Sequence, residues 1–147
     1  EEFGVRRAVI RTGVVLAKGG DILNKFLLQF RLLGGGPLGS GKQYLSWIHM
    51  HDEINAIKML IESSGSSGVY NLTAPQAVTN AEFGKTLAKT IKRPYWIPVP
   101  AFALKLALGE MSTMVLDGQR VLPAALLAAG YQFKFPTLKP ALEDLLD

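Results

Sequence analysis

Cysteine is absent from the 147 residues, which excludes a disulfide framework and any thiolate metal site, and fits a reducing compartment such as the cytoplasm. Histidine is scarce: His49 and His51 are the two. A metal site would have to be built on them with Asp52, and Asp52 is better used as the cap of the helix that follows, so no metal is expected. No apolar run approaches the ~20 residues that a membrane span needs, and the first residues lack the layout of a signal peptide, so no membrane association is expected. No run of Lys and Arg marks a nucleic-acid surface. Internal repeats and low-complexity linkers are missing as well. What is present is a 48% hydrophobic chain of single-domain size, which argues against disorder. Its net charge of +4 is uneven: residues 1–50 hold seven Lys or Arg against three acids, and residues 51–147 hold nine of each. An excess confined to the first third suits an anionic small ligand.

Residues 36 to 42, Gly-Pro-Leu-Gly-Ser-Gly-Lys, match the spacing of a phosphate-binding loop. The pattern requires Ser or Thr next, a buried strand before it and a helix after it. Position 43 is Gln. Before the loop, Ile22, Phe26, Phe30 and Leu33 recur at helical spacing behind Asp21, and after it Tyr44 to Ile48 are aromatic and branched, as in a strand. Gly34, Gly36 and Gly39 also fit Gly-x-Gly-x-x-Gly, with the same wrong context. The segment therefore reads as a flexible connection, and a phosphate-loop NTPase is the most distant alternative.

Strands are predicted near Ala8 to Ile10, as a buried parallel-sheet strand, near Tyr44 to Ile48, at Val69 to Leu72, and as a short alternating piece at Tyr131 to Phe135. Trp47 and His49 should share one strand face and Ile48 the other. Asp52 should cap a helix carrying Ile54, Ile57, Leu60 and Ile61, closed by the turn at residues 65–68. Thr79 and Glu82 have capping-box spacing ahead of Phe83, Leu87 and Ile91. Further helices are predicted from Pro98 to Leu108, from Pro123 to a stop at Gly130, and from Thr137 with Leu138, Leu142 and Leu145 on one face. Met111 and Met114 read as core or groove filling. The order gives an α/β class with a mainly helical C-terminal tail. There are too few strands to enclose a parallel sheet, which suggests the back half of a larger protein.

With those elements placed, five motifs resemble a known family in order and spacing: Arg11-Thr12-Gly13-Val14-Val15-Leu16, the glycine run 34–41, Ser46-Trp47-Ile48-His49-Met50-His51-Asp52, Gly68-Val69-Tyr70-Asn71-Leu72-Thr73-Ala74-Pro75, and Asp117-Gly118-Gln119-Arg120-Val121-Leu122-Pro123. They look like the C-terminal half of NAD(P)-dependent, sugar-nucleotide-epimerase-like proteins of the extended short-chain dehydrogenase/reductase family, in the group sometimes labelled cell-division-inhibitor-like. The resemblance implies a partial Rossmann-type unit: residues 1–94 as part of the α/β body, residues 95–147 as a helical substrate lobe, and the cofactor-binding half absent. It implies NAD or NADP in the full-length parent, with none held tightly by this chain alone.

The same resemblance places Thr12, Gly13 and Val14 near the nicotinamide end of the cofactor, and Val14 stands where relatives often carry Asn for a substrate phosphate. It places the substrate, a phosphorylated or nucleotide-sugar-like molecule, near Arg11, Gln119 and Arg120. Arg11 is open to a strand-end ion pair instead, and Arg120 to a structural contact between tail and body; the planar guanidinium of Arg120 also suits a diphosphate. Catalysis in the family uses Tyr-x-x-x-Lys. None of Tyr44, Tyr70, Tyr95 or Tyr131 has a Lys four residues later, so no catalytic residue is assigned. The alternative of another class is a non-catalytic binding or dimerisation module, a homo-oligomer formed through the surface that a missing half would leave.

Overall fold

The structure, a computed structural model, describes residues 5–33, 35–102, 106 and 117–147. Six short strands and five helices make up the described fold: β1 (Ala8–Thr12), β2 (Val14–Leu16), α1 (Asp21–Leu33), β3 (Tyr44–Leu45), β4 (Trp47–His49), α2 (Met50–Glu62), β5 (Gly68–Leu72), β6 (Val78–Thr79), α3 (Asn80–Thr90), α4 (Ala124–Ala128) and α5 (Leu138–Leu146). β1 pairs with β5 and β2 with β4, both in parallel, while β3 and β6 pair antiparallel. The result is the α/β class read from the sequence.

β2 and β4 lie between two apolar clusters. Leu16 and Trp47 join Phe30, Phe83, Leu87 and the α5 leucines on one side, with Val14 packed against them. Ile48 joins Leu60, Leu72 and Leu126 on the other, with Val15 against it. This is the period-2 alternation of a strand buried on both faces, and it separates Trp47 from Ile48 as expected.

α3 opens on a complete capping box: Thr79 Oγ1 accepts from Glu82 N at 3.2 Å, and Thr79 N donates to the Glu82 carboxylate at 2.7 Å. α1, α4 and α5 also match their predicted spans. α5 places Leu138, Ala141, Leu142 and Leu145 in the core.

Several expectations change. β1 is not a buried strand: Val9 and Ile10 are 39% and 38% exposed, because among the described residues β1 has a neighbour on one edge only. Residues 131–135 form no strand; they are held as an irregular segment by Asp52. That aspartate is not the α2 cap either. His49 is, its Nδ1 accepting from His51 N at 3.0 Å, while Asp52, 1% exposed, accepts from Tyr131 Oη, Lys134 N and Phe135 N at 3.1, 2.8 and 2.8 Å.

The buried face of α2 is accordingly rotated, carrying Asp52, Glu53, Ala56 and Leu60 while Ile54 and Ile61 face outward. The buried Asp52 carboxylate is tolerated because three donors reach it, whereas Glu53 accepts one hydrogen bond, from Thr12 Oγ1. The helix expected from Pro98 starts later: residues 98–100 are not helical, with Val99 bridging to Leu38, helical backbone is present at Ala101, Phe102 and Leu106, and the rest of the span lies outside the described residues. Met111 and Met114 also lie outside them.

Candidate functional site

Four backbone donors of the glycine run that a phosphate loop would turn to its ligand are already engaged within the fold. Leu38 N donates to Asn80 Oδ1 at 2.9 Å, Gly39 N to Val99 O at 2.9 Å, Gly41 N to Leu38 O at 3.0 Å and Lys42 N to Ser40 Oγ at 3.2 Å. The loop follows α1, leads into β3, and ties residues 95–99 to the start of α3. It is a brace.

The residues singled out in the first and last motifs do meet, at the carboxyl end of the β1–β5 ladder, where β2 and β4 begin. Gly13 is the point where the chain changes partner. Gly13 N donates to Leu72 O at 3.0 Å, ending the β1 ladder, and Val14 N donates to Ser46 O at 2.8 Å, opening the β2 ladder. A Cβ on Gly13 would lie 2.6 Å from Ser46 O, so no other residue fits this crossing.

Ser46 then clasps the strap 117–123. Its hydroxyl donates to Gln119 O at 2.8 Å and accepts from Val121 N at 2.9 Å. Asn71 Nδ2 and Thr73 Oγ1 reach Leu122 O and Val121 O at 3.3 and 3.4 Å. Gly118 lies against the Tyr44 backbone so closely that a side chain there would collide with the Tyr44 carbonyl.

Through this clasp Thr12, Gly13 and Val14 share one end of the fold with Gln119 and Arg120, although more than a hundred residues separate them in sequence. Gln119 enters through its backbone carbonyl, with its side chain exposed. The Arg120 guanidinium sits 5.8 Å from the centre of the Tyr44 ring, a cation–π contact at an exposed position. Arg11, opposite Asn71 in the β1–β5 register, is exposed and has no acidic partner among the described residues. The expected alternative of a strand-end ion pair is therefore not what the described residues make. Val14 is half-buried against the core.

Three residues at or near this end escaped sequence reading. Ser46 is one, an ordinary hydroxyl until the strap is folded over it. Glu53 is the second. It is 8% exposed, it accepts from Thr12 Oγ1 at 2.9 Å through Oε1, and Oε2 has no hydrogen-bond partner among the described residues. Burial raises the Glu53 carboxyl above the usual carboxylate value, opposed by the Thr12 hydrogen bond. Asp52 is the third, anchoring the tail segment as described above. Burial, reinforced by the Asp52 charge, pushes the Tyr131 phenol well above its ordinary value, so it remains a donor.

The histidines have structural surroundings. His49 stacks on Phe135 at 4.0 Å between ring centres, and its Nε2 lies 3.3 Å from Asp144 Oδ2, close enough for an ion pair but off hydrogen-bond alignment. Burial lowers its pKa from 6.5, against the opposing pull of Asp144. His51 is exposed, 3.9 Å from Asp52. Among the described residues no group of three or more His, Cys, Asp or Glu could hold a metal ion, and no helix is long and apolar enough to cross a membrane.

Comparison with known proteins accords with this arrangement. A family model described as a domain of unknown function, DUF1731, matches residues 99–145. Across 99% of the chain, the sequence is 46% identical to the epimerase family protein SAR0825 of Staphylococcus aureus, covering 49% of that protein. It is 44% identical to the mouse epimerase family protein SDR39U1, covering 96% of the chain and 48% of the relative. The crystal structure of human SDR39U1 isoform 2 with NADPH superposes with a TM-score of 0.90 at 41% identity, over 95% of this chain and 48% of that one. The resemblance read from the five motifs therefore holds across nearly the whole chain, with its Rossmann-like, epimerase-type fold. The chain spans about half the length of the relatives it matches.

Proposed function

We propose that this chain is the substrate-side half of an NAD(P)-dependent, nucleotide-sugar-epimerase-like oxidoreductase of the cytoplasm, and that it has no catalytic activity by itself. The observation that carries this reading is the convergence of the first and last motifs at the carboxyl end of the parallel β1–β5 ladder, the kind of position where α/β folds bind ligands, in a chain that matches half of an epimerase-family protein. The human relative was solved with NADPH. In this reading residues 1–94 belong to the α/β body and residues 95–147 to the substrate lobe, and another polypeptide region brings the Gly-rich cofactor turn and the Tyr-x-x-x-Lys pair.

Thr12, Gly13 and Val14 line the cofactor edge. Arg11, Gln119 and Arg120 face the phosphorylated substrate, with the Arg120 fork on a diphosphate. Val14, which cannot hydrogen-bond through its side chain, leaves that task to the arginines. The test is a titration of NADPH and of a nucleoside diphosphate sugar into the full-length protein that carries this sequence. Saturable NADPH binding is expected there and not in the 147-residue chain. An Arg120→Ala variant should lose roughly tenfold or more in affinity for the diphosphate ligand, as for a charge-assisted contact; unchanged affinity removes Arg120 from the site.

A second reading has its own support. Among the described residues β1 has an open strand edge, and Val9, Val69 and Ile10 are exposed on that ladder, which suits a binding or dimerisation module. Sedimentation decides: a concentration-dependent dimer of this chain that Val9→Lys abolishes favours the module, and a monomer favours the half-enzyme.

A further inference from the structure

The Thr12 hydroxyl has one proton, and the geometry shows where it goes. Thr12 lies at the carboxyl end of β1 with its residue surface exposed, yet its Oγ1 is 2.9 Å from Oε1 of a carboxylate that is almost fully buried. An ionised carboxylate only accepts. The Thr12 hydroxyl donates inward, and what it turns outward is lone pairs. Oε2 of Glu53 is buried and has no hydrogen-bond partner among the described residues, so the acceptor that faces outward is the Thr12 hydroxyl itself. A phosphate oxygen is itself only an acceptor and carries charge of the same sign as Glu53, so it is a poor guest here. Two exposed cations lie at this end of the fold: Arg11, which strand alternation turns to the opposite face of β1 from Thr12, and Arg120 on the Tyr44 ring.

Building on the proposed function above, we infer that the Thr12 hydroxyl, its proton held inward by Glu53, is an acceptor for a neutral hydrogen-bond donor of the ligand, an amide N–H or a sugar hydroxyl, while the anionic groups of the ligand lie toward Arg120. Glu53 is in this scheme a positioning residue: it holds the Thr12 proton and so sets the polarity of the subsite.

The experiment compares NADPH with its 3-acetylpyridine analogue, in which a methyl group replaces the amide nitrogen, on the full-length protein. If the donor is the carboxamide, the wild type prefers NADPH by about tenfold, the scale of one neutral hydrogen bond with a buried acceptor left unpaired, Thr12→Val abolishes the preference, and Thr12→Ser keeps it. If the donor is a sugar hydroxyl, Thr12→Val weakens both dinucleotides, or a nucleoside diphosphate sugar, by a similar factor. Glu53→Gln, whose amide can donate to Thr12 and release the hydroxyl proton outward, should reproduce the Thr12→Val pattern in weaker form with the melting temperature unchanged or raised. A merely structural pair would lower stability without altering selectivity or affinity. Unaltered binding of all three ligands by Thr12→Val and Glu53→Gln overturns the inference; failure of the wild type to bind any of them overturns the half-enzyme reading on which it rests.

Discussion

Two parallel ladders share one molecule and live in different surroundings. β2 and β4 have a cluster on each face: Leu16, Trp47 and Phe83 on one, Ile48, Leu60 and Leu72 on the other. β1 and β5 send Tyr70 and Leu72 into the second cluster but leave Val9 and Val69 in water, and β1 has no further neighbour among the described residues. Parallel sheets are almost always covered on both faces and continued at their edges. The comparison teaches that the β2–β4 ladder lies inside the core of this chain, while the β1–β5 ladder keeps exposed apolar residues among the described ones, with the candidate site at its carboxyl end.

The strongest blow to the covered ladder is Trp47→Ala, expected to cost about 3–5 kcal/mol by emptying a fully buried site. Asp52→Ala should cost on the order of 3 kcal/mol, since it leaves the backbone N–H groups of Lys134 and Phe135 without an acceptor, while Tyr131 Oη keeps the backbone carbonyl of residue 52 at 2.9 Å. Denaturant unfolding measures both. Next comes the junction: Gly13→Ala forces a Cβ against Ser46 O and should cost about 1–3 kcal/mol, against less than ~0.5 kcal/mol for Gly65→Ala, where a Cβ would meet nothing.

On the open ladder Val9→Thr should cost below ~0.5 kcal/mol in this chain. In the full-length protein the same change should cost distinctly more, and equal values in both would count against the half-enzyme reading.

The smallest effects are in pH, and they have opposite signs. His49, at the end of the covered ladder, has a folded pKa lowered by burial, so its contribution is present above pH 6.5 and is lost as pH falls through the lowered folded value. Glu53, beneath the open ladder, has a folded pKa raised by burial, so the stability linked to it is full below pH 4.5 and is lost as pH rises through the raised value. Melting curves of His49→Asn should show a shallower decline toward acid, and those of Glu53→Gln a shallower decline between acid and neutral pH.

Much of this was legible along the chain. The capping box at Thr79 and Glu82 needs three residues and no partner. The helix ahead of the glycines and the strand after them argued against a phosphate loop, and the engaged donors of Leu38, Gly39, Gly41 and Lys42 give the physical reason. The five motifs identified the fold. What sequence missed shares one property: Asp52 reaches Phe135, Glu53 reaches Thr12, and Ser46 reaches Gln119 and Val121. Asp52 even looked like a cap, because a carboxylate before an apolar run is equally consistent with a local and a distant set of donors.

The sequence by itself determined the periods, caps and breaks: where helices start, which strand residues alternate, and that Gly13 and Gly118 carry no side chain. Those are set by interactions within a turn or two of the chain. Only the tertiary structure decided that β1 stands half in water while β4 is enclosed, that the α2 carboxylates point inward, and that the strap 117–123 closes on Ser46 beside Thr12. Burial and the pairing of buried polar groups depend on which distant segments arrive, and nothing in a residue's own neighbourhood fixes that.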